Sequence, residues 1–265
     1  MSGREGLSGR YFIYGFVLLF ALQLWVILTS LKGPDKNYPE YTEQLYSHYV
    51  SGDISGWKEI IANMESSYQS DQDPYLLKQI IYSLYGYVGY HLGMDQEETA
   101  EVYLEKMEGY LDEVMEENKT VPAWAFAMHA ASVGYRISLN RIMAPFLGQE
   151  ALNSMDKAIE TDSSEVMGWI EKGNSFMYRP AYFGGSSKKA LENYERALSL
   201  FQGDEAQRKY SWIYLNLQVL IAKCHIDLGN YDLALQSYQN VITYEPSFSW
   251  VRDELMPEVE MKIRD

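Results

Sequence analysis

The chain has 265 residues, of which 47% are hydrophobic and 14% aromatic, so it carries enough apolar surface for a packed core and too many large side chains for a disordered protein. Its 37 acidic and 22 basic residues give a formal net charge of -15, which argues against a protein that binds nucleic acid through a basic face. The single cysteine, Cys224, excludes an internal disulfide and a cysteine-based zinc cluster. We therefore expect a folded, acidic protein that does not bind nucleic acid.

An uncharged segment lies near the N-terminus, from Tyr11 to Leu31, with Gln23 as its one strongly polar residue. As a helix it would be roughly 31 Å long, which is the thickness of a hydrocarbon core. A cleaved signal peptide has a shorter apolar region with small residues before the cut, whereas Leu28 and Ser30 occupy those positions here. The segment is thus predicted to be an uncleaved single-span anchor, with the cleaved form as the alternative.

The basic residues that flank this segment are balanced, because Arg4 and Arg10 precede it and Lys32 and Lys36 follow it. A short N-terminal tail is typical of a signal anchor that keeps its own tail inside the cell. That orientation places the residues from 32 onward on the outer face. We expect a single-pass membrane protein whose body is periplasmic or otherwise extracytoplasmic.

The rest of the chain is helical in pattern, with no sustained alternation of the kind that strands show. Turn signals separate runs of about 12–20 residues in which apolar side chains recur at steps of three and four. The predicted fold is all-α, with about five helical hairpins and a capping helix after Ser249. The predicted organisation is a tail (1–10), the anchor (11–31), a linker (32–40), degenerate helical hairpins (41–150), recognisable repeats (151–246) and a C-terminal capping helix (247–265).

A repeating pattern of residue sizes marks the second helix of three successive units. It occurs at Ala151, Met155 and Ala158, at Ala190, Tyr194 and Ala197, and at Ala234, Tyr238 and Val241. Small residues let neighbouring helices approach, and the larger one fills the space between them. The pattern predicts helical hairpins that stack on one another.

Together with the turn at 228–231 and the terminating Pro246, these units resemble the tetratricopeptide repeat (TPR). The resemblance covers residues 151–246 by sequence and residues 38–150 by pattern. It implies an α-solenoid in which the first helix of each repeat lines a concave groove. The turn at 180–190 is similar to one in membrane-anchored bacterial TPR proteins, and also to one in the TPR-like T component associated with TRAP transporters.

The resemblance also places a set of partner-binding residues on the wall of that groove. They are Ile170, Asn174, Met177 and Tyr178 in one repeat and Asn216, Val219, Lys223 and Asp227 in the next. Some TPRs clamp the carboxylates of chaperone tails, but that clamp needs a basic residue where Ile170 stands. A mixed aromatic and polar groove for an extended peptide or a helix therefore fits better. The long turn contributes Tyr182 and Phe183, which either cap the repeat junction or rim a pocket.

No pattern of catalytic or metal-binding residues stands out. The four histidines fall in different hairpins and have no second ligand at a zinc spacing. The glycines at 184–185 lack the spacing of a phosphate-binding loop and more plausibly relax a long turn. Cys224 lies on the inner side of a predicted helix, which favours a buried structural thiol.

These observations favour a non-enzymatic scaffold or adaptor without a cofactor. It would bind a protein partner, an integral membrane or envelope complex, through its concave groove. The alternative is a small-ligand-binding accessory protein of a membrane transport system. That function requires a closed apolar pocket, walled by residues such as Trp169, Phe176 and Tyr182.

Overall fold

The computed structural model describes residues 38–117, 120–201 and 205–264, and the described residues from Glu40 onward belong to one compact unit. Every regular element among the described residues is helical. The anchor predicted at 11–31 lies outside the described residues. Among the helices that are described, none has both the length and the apolar composition needed to cross a membrane.

The described residues form twelve α-helices joined mostly by short turns. They are α1 Tyr38–Ser51, α2 Ile54–Asp71, α3 Pro74–Gly93, α4 Glu97–Glu117, α5 Ala123–Leu139, α6 Ala144–Thr161, α7 Val166–Met177, α8 Ser187–Phe201, α9 Glu205–Arg208, α10 Trp212–Asp227, α11 Tyr231–Tyr244 and α12 Met256–Arg264. Short 3₁₀ helices at Arg141–Met143 and Ala181–Phe183 precede α6 and α8, and a π-helical turn at Val251–Leu255 leads into α12. The short helix α9 was not predicted from the sequence.

Polar residues at the turns fix where several helices begin. The Asp53 carboxylate accepts a hydrogen bond from the main-chain N–H of Gly56 at 2.9 Å and starts α2. Asp73 does the same for α3 through the N–H of Tyr75, and Ser211 starts α10. These side chains satisfy N–H groups that have no partner within the helix. Gly229, with a φ of +74°, supplies the left-handed residue of the turn between α10 and α11.

Eight of the described helices pack as four antiparallel pairs, in agreement with the hairpins predicted for the residues from 74 onward. The pairs are α3 with α4, α5 with α6, α7 with α8, and α10 with α11, and α12 packs on α11. We call α3, α5, α7 and α10 the first helices of their pairs. Neighbouring pairs also touch, since α3 contacts α5, α5 contacts α7, and α8 contacts α10. This arrangement is consistent with an α-solenoid.

The predicted positions of small and large residues account for the close packing of these pairs. Ala190 and Ala234 are fully buried, and Ala151 is also buried. Tyr194 lies flat against Gly173 of the preceding helix, where an added Cβ would come within 2.3 Å of the tyrosine ring. The absence of a side chain at Gly173 therefore makes the space that Tyr194 fills.

Helices α1 and α2 contact the last repeat directly, which the sequence analysis did not predict. The hydroxyl of Tyr46 in α1 donates to Glu245 at 2.9 Å, and that of Tyr49 donates to Asn216 at 3.3 Å. The Trp57 ring in α2 lies 5.1 Å from the Trp212 ring at the start of α10. The beginning and the end of the described chain are thus joined by an aromatic core.

This core depends on a glycine in α3. A Cβ built on Gly86 would lie 2.8 Å from ring atoms of both Trp57 and Trp212. The two indoles can therefore meet over α3 only because Gly86 has no side chain. The Trp57 indole N–H also donates to the main-chain oxygen of Ser83 at 3.1 Å, which fixes its ring in α3.

We expect Gly86→Ala to lower the free energy of unfolding by about 1–3 kcal/mol, because the new methyl group overlaps two buried indole rings. Gly134→Ala in α5 is the matched control, since a Cβ there meets no atom within 4 Å. It should raise the free energy of unfolding by about 0.5–1 kcal/mol through helix propensity. Chemical denaturation of both variants measures the difference, and equal effects would contradict the assigned contact.

Candidate functional site

Four helices bring polar side chains together in the interior, in what we call the tyrosine–glutamate cluster. Its members are Tyr85 of α3, Tyr135 of α5, Glu171 and Asn174 of α7, and Tyr194 of α8. The Asn174 amide donates to Tyr85 Oη at 3.2 Å and to Glu171 Oε1 at 3.0 Å, and its oxygen accepts from Tyr194 at 2.6 Å. Asn174 therefore connects three helices through one side chain.

The tyrosines of the cluster are held close to the aromatic core. The rings of Tyr85 and Tyr135 stack at 5.7 Å, and Tyr135 donates to the main-chain oxygen of Tyr85 at 3.1 Å. Tyr85 also lies 6.2 Å from the Trp212 ring. A Cβ on Gly89 would lie 2.9 Å from Tyr135 Oη, so this glycine leaves room for the tyrosine hydroxyl.

Glu171 is the buried carboxyl group of this cluster. Burial raises the pKa of Glu171 to about 7, against the opposing effect of hydrogen bonds with Tyr85 and Asn174. Since the group loses its proton near neutral pH, a modest change in pH changes its charge. The cluster is therefore a protonation site in the middle of the fold.

Four of the eight predicted groove residues are not available on an open wall. Ile170 is 2% exposed and Val219 is 6% exposed, so neither side chain is accessible to a partner. Asn174 is taken up by the tyrosine–glutamate cluster, and Asn216 accepts the hydrogen bond from Tyr49. The physical reason is that side chains from α1, α2 and α3 occupy the space that an open TPR groove leaves empty.

The other groove residues lie together at the ends of α7 and α10. Tyr178 is 61% exposed, and Lys223 Nζ lies 5.2 Å from the centre of its ring. Asp227 follows one helical turn after Lys223 and accepts a hydrogen bond from Ser187 at 3.2 Å. We call Tyr178, Lys223 and Asp227 the groove-mouth surface. Met177 lies beneath it, with its sulfur 3.7 Å from Cys224 Sγ.

The predicted pocket-rim residues project from the turn between α7 and α8. Tyr182 is 81% exposed, and its ring lies 4.4 Å from that of Phe183, which is also exposed. Neither ring folds back over the repeat junction. Trp169 instead lies against Arg196, and Phe176 against Lys189, so no described ring contact joins Trp169, Phe176 and Tyr182 into one pocket wall.

The histidines and the cysteine take structural positions in the described part of the chain. His48 lies 3.0 Å from the Asp53 carboxylate, and His129 lies 2.9 Å from Ser154 Oγ. Cys224 is fully buried, and burial raises the pKa of its thiol to about 12, so the thiol stays protonated at neutral pH. No group of three or more metal-binding side chains occurs among the described residues.

A cavity of about 420 Å³ opens between α8, α10 and α11. It is lined by Leu198, Tyr214, Gln218, Asn240, Thr243 and Tyr244. Gln218 is buried, and its side-chain nitrogen has no hydrogen-bond partner. A buried donor without a protein partner is costly, so a water molecule or a ligand group that accepts from it would be stabilised there.

Sequence reasoning missed Glu171 and the two tyrosines that surround it. The available signal was a single carboxylate inside the otherwise apolar face of α7, where Val166, Met167 and Ile170 are all buried. Tyr85 and Tyr135 gave no signal of their own, because their role depends on contacts between separate hairpins. Asn174 was found, but as a groove residue and not as the centre of a buried network.

No protein-family model and no curated protein matches the chain. Among solved structures, it is similar to the HusA haemophore from Porphyromonas gingivalis, with 19% identity and a TM-score of 0.51 over 74% of this chain and 96% of that chain. It is also similar to the MamA protein, with 16% identity and a TM-score of 0.33 over 80% of this chain and 96% of that chain. The first likeness supports a shared helical fold; the second is too distant to carry an argument.

We expect the stability of the protein to depend on pH through Glu171. Between about pH 4.5 and pH 7 the unfolded chain loses this proton while the folded chain keeps it, so the free energy of unfolding falls as pH rises. Glu171→Gln removes this fall in the free energy of unfolding. At pH 8 the variant should be more stable than the unchanged protein by up to about 3 kcal/mol, and this difference in stability should become smaller towards pH 5.

Urea unfolding at several pH values measures this difference. Glu192→Gln, at an exposed carboxylate on α8, is the control and should leave the pH dependence unchanged. A Glu171→Gln variant whose stability changes with pH in parallel with the unchanged protein would show that the buried carboxyl does not titrate in this range.

Proposed function

We propose that the chain is a non-enzymatic scaffold or adaptor of the TPR type that binds a protein partner at the groove-mouth surface. The observation that carries this proposal is the arrangement of Tyr178, Lys223 and Asp227, which remain accessible while the rest of the predicted groove is filled. A rigid helical array that displays such a patch is suited to recognition of another chain. The partner class is an integral membrane or envelope complex.

The chemistry of the groove-mouth surface supports a peptide or helix as the bound element. Tyr178 offers a large ring with a polar hydroxyl, which gives contact area at low entropic cost. Lys223 and Asp227 lie beside it with opposite charges, so the surface pairs with both signs of charge on a partner. Because α7 and α10 hold these side chains at their C-terminal ends, the patch is presented without a flexible loop.

The proposal includes attachment to a membrane through residues 11–31, with the body on the extracytoplasmic side. Its support is the uncharged segment of spanning length and the short tail that precedes it. Tethering would restrict the partner to molecules in or near the same membrane. This is the reason for assigning an envelope or membrane complex as the partner class.

We expect a photo-crosslinking amino acid at position 178 to form discrete protein adducts in cells, because the side chain lies in the proposed contact. The same amino acid at Tyr75 is the control, since that residue is also exposed but lies at the start of α3. Adding Lys223→Ala should weaken the adducts at position 178. Identical adducts from both positions, or none from position 178, would contradict the proposed surface.

A second candidate function, the binding of a small ligand, is favoured by the cavity at Gln218. The unpaired side-chain nitrogen of Gln218 would donate to an acceptor group on the ligand, and Tyr214 and Tyr244, whose rings lie 5.1 Å apart, would contact its apolar part. The fold likeness to a haemophore does not assign a ligand to this cavity. The cavity itself is the supporting observation.

If this second function holds, native mass spectrometry of the purified full chain should show a bound small molecule that Gln218→Leu loses. Gln149→Leu, at an exposed glutamine on α6, should retain it. An unliganded mass for the unchanged protein would count against a ligand that co-purifies with the chain.

A further inference from the structure

Two neighbouring turns of the solenoid expose their apolar side chains to an unusual degree. Ile142, between α5 and α6, is 79% exposed, and Phe146, in the first turn of α6, is 73% exposed; Tyr182, between α7 and α8, is 81% exposed. We call the residues 140–149 and 179–191 together the turn edge. The exposed apolar side chains occur together at these two turns, whereas the apolar residues exposed on an ordinary protein surface are scattered singly.

The two turns lie on the same side of the fold. Helices α5, α6 and α7 alternate in direction, so α5 and α7 run parallel and their C-terminal ends point the same way. Because α5 and α7 are in contact, the turns that follow them are separated by about one helix spacing, roughly 10 Å. Both turns therefore lie at the same end of the helices.

Both turns are held in fixed conformations. The Asn140 side chain accepts a hydrogen bond from the N–H of Ile142 at 3.2 Å. In the other turn Gly184 has a φ of +91°, and the main-chain N–H of Ser186 donates to the main-chain oxygen of Phe176 at 2.9 Å. The backbone of Arg179 lies so close to Gly185 that an added Cβ would be 1.8 Å from its oxygen. The exposed rings are thus presented by rigid backbone.

The charge of the turn edge is opposite to that of the whole chain. Between its bounds the charged residues are Arg141, Arg179, Lys188 and Lys189, whereas the chain carries 37 acidic and 22 basic residues. The nearest carboxylates are Glu150 and Glu192, which directly follow the two segments, and Asp227, which accepts a hydrogen bond from Ser187. None of the four forms an ion pair with a described carboxylate. A rigid surface that combines exposed aromatic and aliphatic side chains with unpaired basic ones is complementary to a negatively charged, partly apolar surface.

We propose that the turn edge rests on the surface of an anionic lipid bilayer. Ile142, Phe146 and Tyr182 enter the region between headgroups and acyl chains, where amphipathic rings and aliphatic side chains are stabilised. Arg141 and Lys188 lie at the level of the phosphate groups and are attracted by the negative surface potential. The turn edge adjoins the groove-mouth surface, since Tyr178 directly precedes it and its Ser187 donates to Asp227. The lipid contact uses other side chains, and it does not require the segment at 11–31 to span the membrane.

The experiment uses the full chain with an environment-sensitive fluorophore on Ala181→Cys, which leaves the exposed rings of the turn intact. Cys224 is fully buried, so the reagent modifies the introduced cysteine. The labelled protein is transferred from detergent into vesicles of phosphatidylcholine with increasing fractions of phosphatidylglycerol. The label on Ser163→Cys, in the exposed turn at the opposite ends of α6 and α7, is the control position.

We expect the emission of the label at 181 to shift to the blue as the phosphatidylglycerol fraction rises, and the label at 163 to remain in water. Arg141→Gln with Lys188→Gln should lower the ratio of docked to undocked protein roughly 25-fold, since each basic side chain at such a surface contributes about a factor of five. Lys58→Gln with Lys262→Gln removes the same charge elsewhere and should leave the ratio unchanged.

Three results would overturn the proposal. One is a label at 181 that stays in water at every lipid composition. Another is a blue shift of equal size on phosphatidylcholine alone, which would remove the role of the basic residues. The third is a concentration-dependent blue shift in detergent without vesicles, which would assign the turn edge to a second protein chain. Loss of the crosslinks at position 178 with docking intact would count only against the partner-binding proposal.

Discussion

The contact on which the fold depends is the meeting of Trp57 and Trp212 over Gly86. Buried aromatic rings supply a large apolar area, and these two come from the second and the tenth helix of the described chain. A stack of hairpins held only by neighbour contacts would have no reason to bring those helices together. The missing side chain at Gly86 leaves the space in which these two rings meet.

Filling the centre changes where the protein can meet other molecules. In an open solenoid the first helices offer their inner faces, but here those faces are occupied by tyrosines, tryptophans and the buried Glu171. What remains accessible are the helix ends and the turns. The groove-mouth surface and the turn edge both lie at these ends, and the open cavity at Gln218 lies between α8, α10 and α11. The surfaces available for binding are therefore at the helix ends and turns and not on the inner faces of the first helices.

The helices and their local packing could be predicted from the sequence, because both are encoded within short distances along the chain. Ala190, Tyr194 and Gly173 form one local unit whose spacing predicts its packing. The filled groove could not be predicted in this way. The hydrogen bond from Tyr49 to Asn216 joins residues 167 positions apart, and no repeat pattern specifies such a pair. The cluster around Glu171 could not be predicted for the same reason, because its members come from separate hairpins and no repeat pattern specifies their contacts.

The hydrogen bond between Tyr46 and Glu245, across 199 positions, has a consequence for how the protein is made. Helices α1 and α2 are translated before α10, whose Trp212 packs against both Tyr49 and Trp57. Until α10 emerges from the ribosome, these aromatic side chains have no complete core, and local contacts alone must hold the nascent hairpins. The docking of α1 and α2 is thus a step that must follow the synthesis of α10.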